Sequence, residues 1–320
     1  MSIITGNENS FPVDLVYLWV NGNDPKWRKK RAAFTHEHYS DEGMDNEARY
    51  ADSGELKYSL RSANLYAPWI RKIFIVTDNQ TPVWLDTSNP KIRIVDHKEI
   101  LPPEALPNFN SNVIEHCLHR IPDLSEHFLY SNDDMFFNKP VVIEDFFGKD
   151  GLPVVRLIPK VMRRQWYFIV KNILKKNISN YNLNIHTAAL LIEEKYGKYI
   201  NHKPHHNIDA YRKSDYSHTF ETFKSAIQPT FLNHTRAEND IQRVIYSYLP
   251  VAEKKCHVKF VSKATSFRCH IASPDFDKKL MKKSPMLFCL NDSQFCNDDH
   301  RRKMHEFLEY RFHEKSPFEK

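Results

Sequence analysis

The sequence predicts an α/β protein: a mostly parallel, Rossmann-like sheet flanked by helices, with a mainly helical insertion in the second half. Three observations carry this. Short β-rich runs alternate with helical stretches through the first half, the pattern of a parallel sheet. The runs at 14–20, 71–77 and 128–130 each end in a turn rich in Asn and Asp. From about Gln165 to Leu249 the periodicity becomes helical.

Taken in order, Asp14-Leu-Val-Tyr-Leu-Trp-Val20 is an apolar, β-prone run closed by Asn21-Gly22-Asn23-Asp24-Pro25, a turn signal, so it reads as a buried strand. Pro25 suits a first helical position, and a helix is expected to about His36. Asp52 precedes Glu55 by three, a capping-box-like start for a helix that Pro68 stops after about Tyr66. Strands follow at 71–77 and 91–95, then a helix over 111–120, then Phe128-Leu-Tyr130 and the turn Ser131-Asn132-Asp133-Asp134. Amphipathic stretches near 183–196, 216–227 and 238–249 make the second half helical. Val258–Val261 is expected to return a strand to the sheet, and a helix is expected over 299–312. Ligands of open α/β sheets bind beyond the carboxyl ends of the strands, so the acidic turns should converge on one rim.

Composition narrows the chemistry. Only 7 of 320 residues are glycine, and the nearest pair, Gly148 and Gly151, lacks the spacing of a dinucleotide fingerprint or a phosphate loop. Phosphates, if handled, must be held by metal ions and cationic side chains. The five cysteines form no C-x-x-C pair, so reduced, buried thiols are expected rather than disulfides or structural zinc. A net charge of +6 suits an anionic substrate. The basic residues form no long block, so no nucleic-acid partner is expected. No apolar run approaches the roughly 20 residues of a membrane span, and residues 1–10 lack signal-peptide features. The expected location is therefore the cytoplasm, with the inner face of the cell membrane as a second placement.

Four constellations can carry chemistry. Asn132-Asp133-Asp134 offers hard oxygen ligands for Mg²⁺ or Mn²⁺, although paired Asp after a strand also forms turns and caps. Asn291-Asp292 echoes it, and Asn-Asp is equally an ordinary turn. His202-Lys203-Pro204-His205-His206 supplies imidazoles suited to deprotonating a hydroxyl, in what Pro204 marks as a loop; a solvated loop with no role is the plain alternative. Arg236, with Asn239 and Asp240 opening a helix, can fork onto phosphate or sit on the surface. Asp52 and Glu55 are explained by helix capping, and Arg61 either neutralises phosphate or pairs with a neighbour.

Together these blocks resemble the Stealth family of sugar-phosphate transferases, which includes bacterial capsular polysaccharide phosphotransferases and the catalytic part of the lysosomal-enzyme N-acetylglucosamine-1-phosphotransferase. Residues 14–24 resemble its first block. Arg49-Tyr-Ala-Asp-Ser-Gly-Glu-Leu-Lys-Tyr-Ser-Leu-Arg-Ser62, 67–77 and 129–134 resemble the second. His202-Lys-Pro-His205 with Arg236, Asn239 and Asp240 resembles the third, and Phe288-Cys-Leu-Asn-Asp292 the fourth.

The resemblance implies transfer of a sugar-1-phosphate from a nucleotide sugar, UDP-activated for instance, to a hydroxyl of a saccharide or glycolipid-linked acceptor. The setting would be capsular or surface polysaccharide synthesis, with peripheral association with a membrane assembly complex. It implies a divalent metal, Mg²⁺ or Mn²⁺, held by Asp133 and Asp134 with Asn291 and Asp292. His205 is the implied general base with His202 as second choice, and Arg236 and Arg61 steady phosphate oxygens. Asn21, Gly22 and Asp24 form a nucleotide rim beside Trp19, and Arg49, Asp52, Glu55, Asn132, Asn239 and Asp240 complete the substrate-binding set. A division of labour is also expected: 1–160 for nucleotide sugar and metal, 161–250 for acceptor and catalysis, and 251–320 returning to the core. A metal-dependent glycosyltransferase releasing nucleoside diphosphate is the alternative reading.

Overall fold

The computed structural model describes residues 11–35, 50, 52–174, 179–293 and 295–320. Its strands, in chain order, are β1 (Val13–Leu18), β2 (Ile73–Thr77), β3 (Ile92–Asp96), β4 (His127–Asn132), β5 (Met135–Phe137), β6 (Val154–Val161), β7 (His202–Pro204), β8 (Asp209–Arg212), β9 (His257–Phe260), β10 (Ser266–His270) and β11 (Leu287–Asn291). The main sheet has the order β3-β2-β1-β4-β8. Its first four strands run parallel, and β8 closes one edge antiparallel to β4, with Phe128 opposite Tyr211. The expected mixed α/β architecture with a mostly parallel sheet is what the chain forms.

Both faces of the sheet are covered, which is why the strands read as continuous apolar runs. Along β1 the period-2 alternation sends Val13, Leu15 and Tyr17 to one side and Val16 to the other. The first side packs on the helix Glu55–Tyr66 through Leu56, Leu60 and Ala63. The other side packs on the helices Asn180–Tyr196, Lys213–Thr222 and Ile245–Glu253, through residues such as Ile185, Tyr216 and Ile245. A third cluster joins β5, β10 and β11 to the helix Asp298–Arg311.

Three expectations change. Val258–Val261 was to rejoin the main sheet, whereas β9 pairs in parallel with β6 in a separate small sheet, β7-β6-β9. The histidine run was to be a loop, yet His202–Pro204 is strand β7, with His202 opposite Val161; Pro204 lacks only an N–H, which an edge strand tolerates. The helix expected from Asn239 begins instead at Ile245, because Asp240 spends its carboxylate on local groups described below. Among the described residues no helix is long and apolar enough to cross a membrane.

Candidate active site

Three acidic segments from distant parts of the chain meet at the carboxyl ends of β1 and β4. The turn after β4 carries Asn132, Asp133 and Asp134. The end of β11 lies beside it because Leu290 N donates to Asp134 O at 2.9 Å, which brings in Asn291 and Asp292. Glu55 stands at the start of its helix, where its Oε2 accepts from Ser53 N and Asp52 Oδ1 accepts from Gly54 N. Gly54 has φ of 83°, so the expected capping box is replaced by a left-handed glycine entry. These groups, except Asp52, line a cavity of about 670 Å³ together with Trp19, His205, His206, Arg236, Arg243 and Arg268.

The acidic side of this cavity is electrostatically crowded. Burial, then the neighbouring charges of Glu55 and Asp134, hold the Asp133 carboxyl well above the usual range. Burial likewise raises Asp134 to about 6, against a hydrogen bond donated to its Oδ2 by Cys289 Sγ at 3.2 Å. Glu55 rises from 4.5 to about 8 by burial, with the Asp52 charge adding to it. Asp134 Oδ1 is buried with no hydrogen-bond partner. Crowded carboxylates with an unsatisfied oxygen suit a cation.

A carboxyl whose folded pKa lies above its unfolded value stabilises the fold fully below the unfolded pKa, and that contribution is lost as pH rises through the folded one. For Glu55 the window runs from 4.5 to about 8. The melting temperature in chelator should fall across that window, and Glu55→Gln should flatten the fall. An equally steep slope in the variant would contradict the assignment.

The opposite wall is built on Arg243. Its Nη1 donates to Asp209 Oδ2 at 2.9 Å and to the Tyr211 hydroxyl, its Nε lies 3.7 Å from Glu115 Oε2, and its guanidinium carbon sits 4.1 Å from the Tyr130 ring centroid. The Tyr130 hydroxyl lies 2.7 Å from Glu115 Oε1 and 2.8 Å from Asn132 Oδ1, connecting this wall to the acidic turn. Burial works to raise Asp209, yet Arg243 and then His205 hold its carboxyl below the usual range. In Glu115 burial wins over Arg243 and its carboxyl is raised.

His205 lines the cavity with both ring nitrogens engaged: Nε2 lies 3.1 Å from Asp209 Oδ1 and Nδ1 lies 2.9 Å from Ser266 Oγ. His206 also lines it, held neutral by burial, which lowers its pKa to about 3. His202 is outside: on β7 its Nδ1 faces Ile158 O at 3.1 Å and its ring packs against Phe260.

The other sequence-derived candidates separate clearly. Arg236 is at the cavity, with Nη2 donating to Ser111 Oγ at 2.6 Å. Arg61 is not; its Nε and Nη2 donate to Glu319 and its Nη1 to Phe312 O, so it ties its helix to the end of the chain rather than gripping phosphate. Asp240 is fully buried and accepts from Asn110 Nδ2, Asn112 Nδ2, Asn233 Nδ2 and Ala237 N, a loop clamp away from the cavity lining. Asn239 is exposed and accepts from Asn233 Nδ2. Asn21 and Asp24 are joined through Gln80, whose Nε2 donates to Asn21 O and Asp24 Oδ2. Gly22 does allow close backbone approach, but the approaching group is Tyr50: its carbonyl oxygen would lie 2.1 Å from an added Cβ. Asp292 Oδ2 accepts from Arg301 Nε at 2.9 Å. Arg49 lies outside the described residues.

Sequence reasoning missed Arg243, Glu115, Asp209 and Arg268. The legible signal was a charge set among apolar neighbours, as in Asn112-Val-Ile-Glu115 and Ile241-Gln-Arg243-Val-Ile245.

Comparison with known proteins agrees in family. The family model described as Stealth protein CR2, conserved region 2, matches residues 49–155, and Stealth protein CR1, conserved region 1, matches residues 11–39. The capsular polysaccharide phosphotransferase fcs1 of Haemophilus influenzae is 34% identical over 299 residues, covering 90% of this chain and 80% of its own length. The receptor polysaccharide phosphotransferase WefC of Streptococcus gordonii is 33% identical over 310 residues, covering 90% and 92%. The exopolysaccharide phosphotransferase CpsY of Mycobacterium leprae is 36% identical over 323 residues, covering 97% of this chain and 57% of its own length. Among solved structures, the galactosyltransferase LgtC in complex with donor and acceptor sugar analogs aligns over 93% of this chain and 95% of its own. Its identity is 10% and its TM-score 0.41, too low to bear on the reaction.

Proposed function

Because the chain belongs to the Stealth family, with named relatives that are polysaccharide phosphotransferases, we propose that it transfers a sugar-1-phosphate from a nucleotide sugar to a saccharide hydroxyl in polysaccharide synthesis. The observation that carries the reading is a single cavity with a crowded carboxylate centre on one side and a histidine and arginines on the other. Phosphoryl transfer asks mainly for positioning and for charge placed around the transferring group, and this cavity supplies both signs.

In this reading Asp133 and Asp134, with Asn291 and Asp292, hold a divalent cation, Mg²⁺ or Mn²⁺. When bound, that ion neutralises charge on diphosphate oxygens. Its fit is supported by the partnerless Asp134 Oδ1 and by the raised carboxyls around it. Arg236 and Arg268 face the same space and suit phosphate oxygens. The acceptor oxygen attacks the phosphorus next to the sugar, the nucleoside monophosphate leaves, and the sugar C1–O bond stays intact.

His205 is the proposed general base, and Asp209 orients it by holding Nε2. Nδ1 rests on the Ser266 hydroxyl, so the acceptor hydroxyl must take that place for proton transfer. His205→Ala is expected to lower kcat by about 10²–10⁴, while His202→Ala, off the cavity, leaves it within about threefold. Equal losses in both variants would remove the base from His205.

Residues 1–160 then serve the donor and the cation, 161–250 contribute the base and the acceptor side, and 251–320 return the second acidic turn. A panel of UDP-sugars with mass detection of the nucleotide product tests the reaction. Nucleoside monophosphate is expected, and nucleoside diphosphate would assign the glycosyltransferase reaction instead. Chelation should abolish turnover and added Mg²⁺ or Mn²⁺ restore it; full activity in chelator would remove the metal from the reading.

A further inference from the structure

Asp134, His206 and Cys289 offer one ligand atom each, and the three atoms lie within 4.8 Å of one another. β11 places Cys289 on the strand face turned toward the acidic turn, where Sγ lies 3.2 Å from Asp134 Oδ2. His206 follows β7 and reaches the same point from the arginine side of the cavity. Asp134 Oδ1 is buried with no hydrogen-bond partner, so this corner holds an unsatisfied acceptor as well as a thiol and an imidazole.

Such a donor set is poorly matched to Mg²⁺, which takes oxygen ligands, and well matched to a borderline-soft cation. We propose that Asp134, His206 and Cys289 form a binding site for a divalent cation of the zinc class, distinct in chemistry from the oxygen-ligated catalytic cation. Binding replaces the thiol proton of Cys289, which passes to buffer as the S–metal bond forms. Three protein donors leave a further position for water. Because Asp134 is shared, a zinc-class ion displaces the catalytic cation and inhibits; that consequence rests on the function proposed above, whereas binding itself does not.

Cobalt(II) added to the metal-stripped protein tests binding without turnover. A thiolate-to-cobalt charge-transfer band is expected at one equivalent. Cys289→Ser should abolish the band, and Cys296→Ser should keep it. His206→Gln, checked as folded by circular dichroism, should weaken cobalt binding by at least about tenfold, since even outer partners of a metal site cost that much. A wild-type spectrum without the band, or a band that survives Cys289→Ser, overturns the site. In the transfer assay, zinc should inhibit wild type at concentrations at least about tenfold below those needed for folded Cys289→Ser or His206→Gln. If the band forms and no sugar-phosphate transfer is found, the binding site stands and the proposed function falls. If transfer is metal-dependent and the band is missing, the reverse holds.

Discussion

Asp133→Asn should lower kcat by about two to three orders of magnitude, the usual cost of removing one group that stabilises transition-state charge, while raising the melting temperature of the metal-free protein. Both effects have one cause. Asp133 stands beside Glu55 and Asp134; burial raises all three carboxyls, and the charges of Glu55 and Asp134 raise Asp133 further. An amide of the same shape is neutral without taking up a proton on folding, which relieves the apo fold. It also removes one anionic ligand from the proposed cation site, which weakens catalysis. Thermal unfolding in chelator and initial rates at saturating Mg²⁺ or Mn²⁺ measure the two effects. A fully active Asp133→Asn, or one that melts lower without metal, contradicts a metal role for this carboxylate.

Arg243→Met should destabilise the protein by about 3–5 kcal/mol, the range for breaking a buried ion pair by removing one partner. Arg243 is buried between Asp209 and Glu115, with its side chain 10% exposed and theirs 9% and 7%. Methionine fills much of the volume and leaves two carboxylates without their cation. The burial that already raises Glu115 would then act on both acids, so they should take up protons on folding. The loss should therefore be largest at neutral pH and shrink toward pH 4, which a merely steric defect would not do. Urea midpoints at several pH values provide the measurement. Restoring neutrality in the triple variant with Asp209→Asn and Glu115→Gln should recover part of the loss.

Much of the fold was legible because parallel strands covered on both faces leave a strong mark. The runs at 14–20, 71–77 and 91–95 are rich in apolar, β-branched residues, the first two closed by polar turns, and they became β1, β2 and β3. The short strands were harder to see. β5 is three residues directly after Asp134, and β8 is Asp-Ala-Tyr-Arg, too polar and too brief to stand out from a helical region. Yet β8 carries Asp209, so missing it hid the partner of both His205 and Arg243. Linear spacing left Arg61 open between phosphate and a neighbour, because its carboxylate partner Glu319 lies 258 positions further along the sequence. The acidic turns were easier, because adjacent carboxylates at the end of an apolar strand are visible in one glance at the string. Gly22 was expected on the nucleotide rim; the group packed closest to it is the backbone of Tyr50.

The convergence of three acidic segments has a consequence in time. Asp133 and Asp134 leave the ribosome long before Asn291 and Asp292, and Glu319, which pairs with the guanidinium of Arg61, is the penultimate residue of this sequence. A nascent chain can form β1 through β4 early, since those strands and their helices are close in sequence. Its acidic turn must then wait for β11 to arrive and close the pocket around it. Activity should appear abruptly, only when synthesis has carried the chain beyond residue 292 and the C-terminal segments have docked.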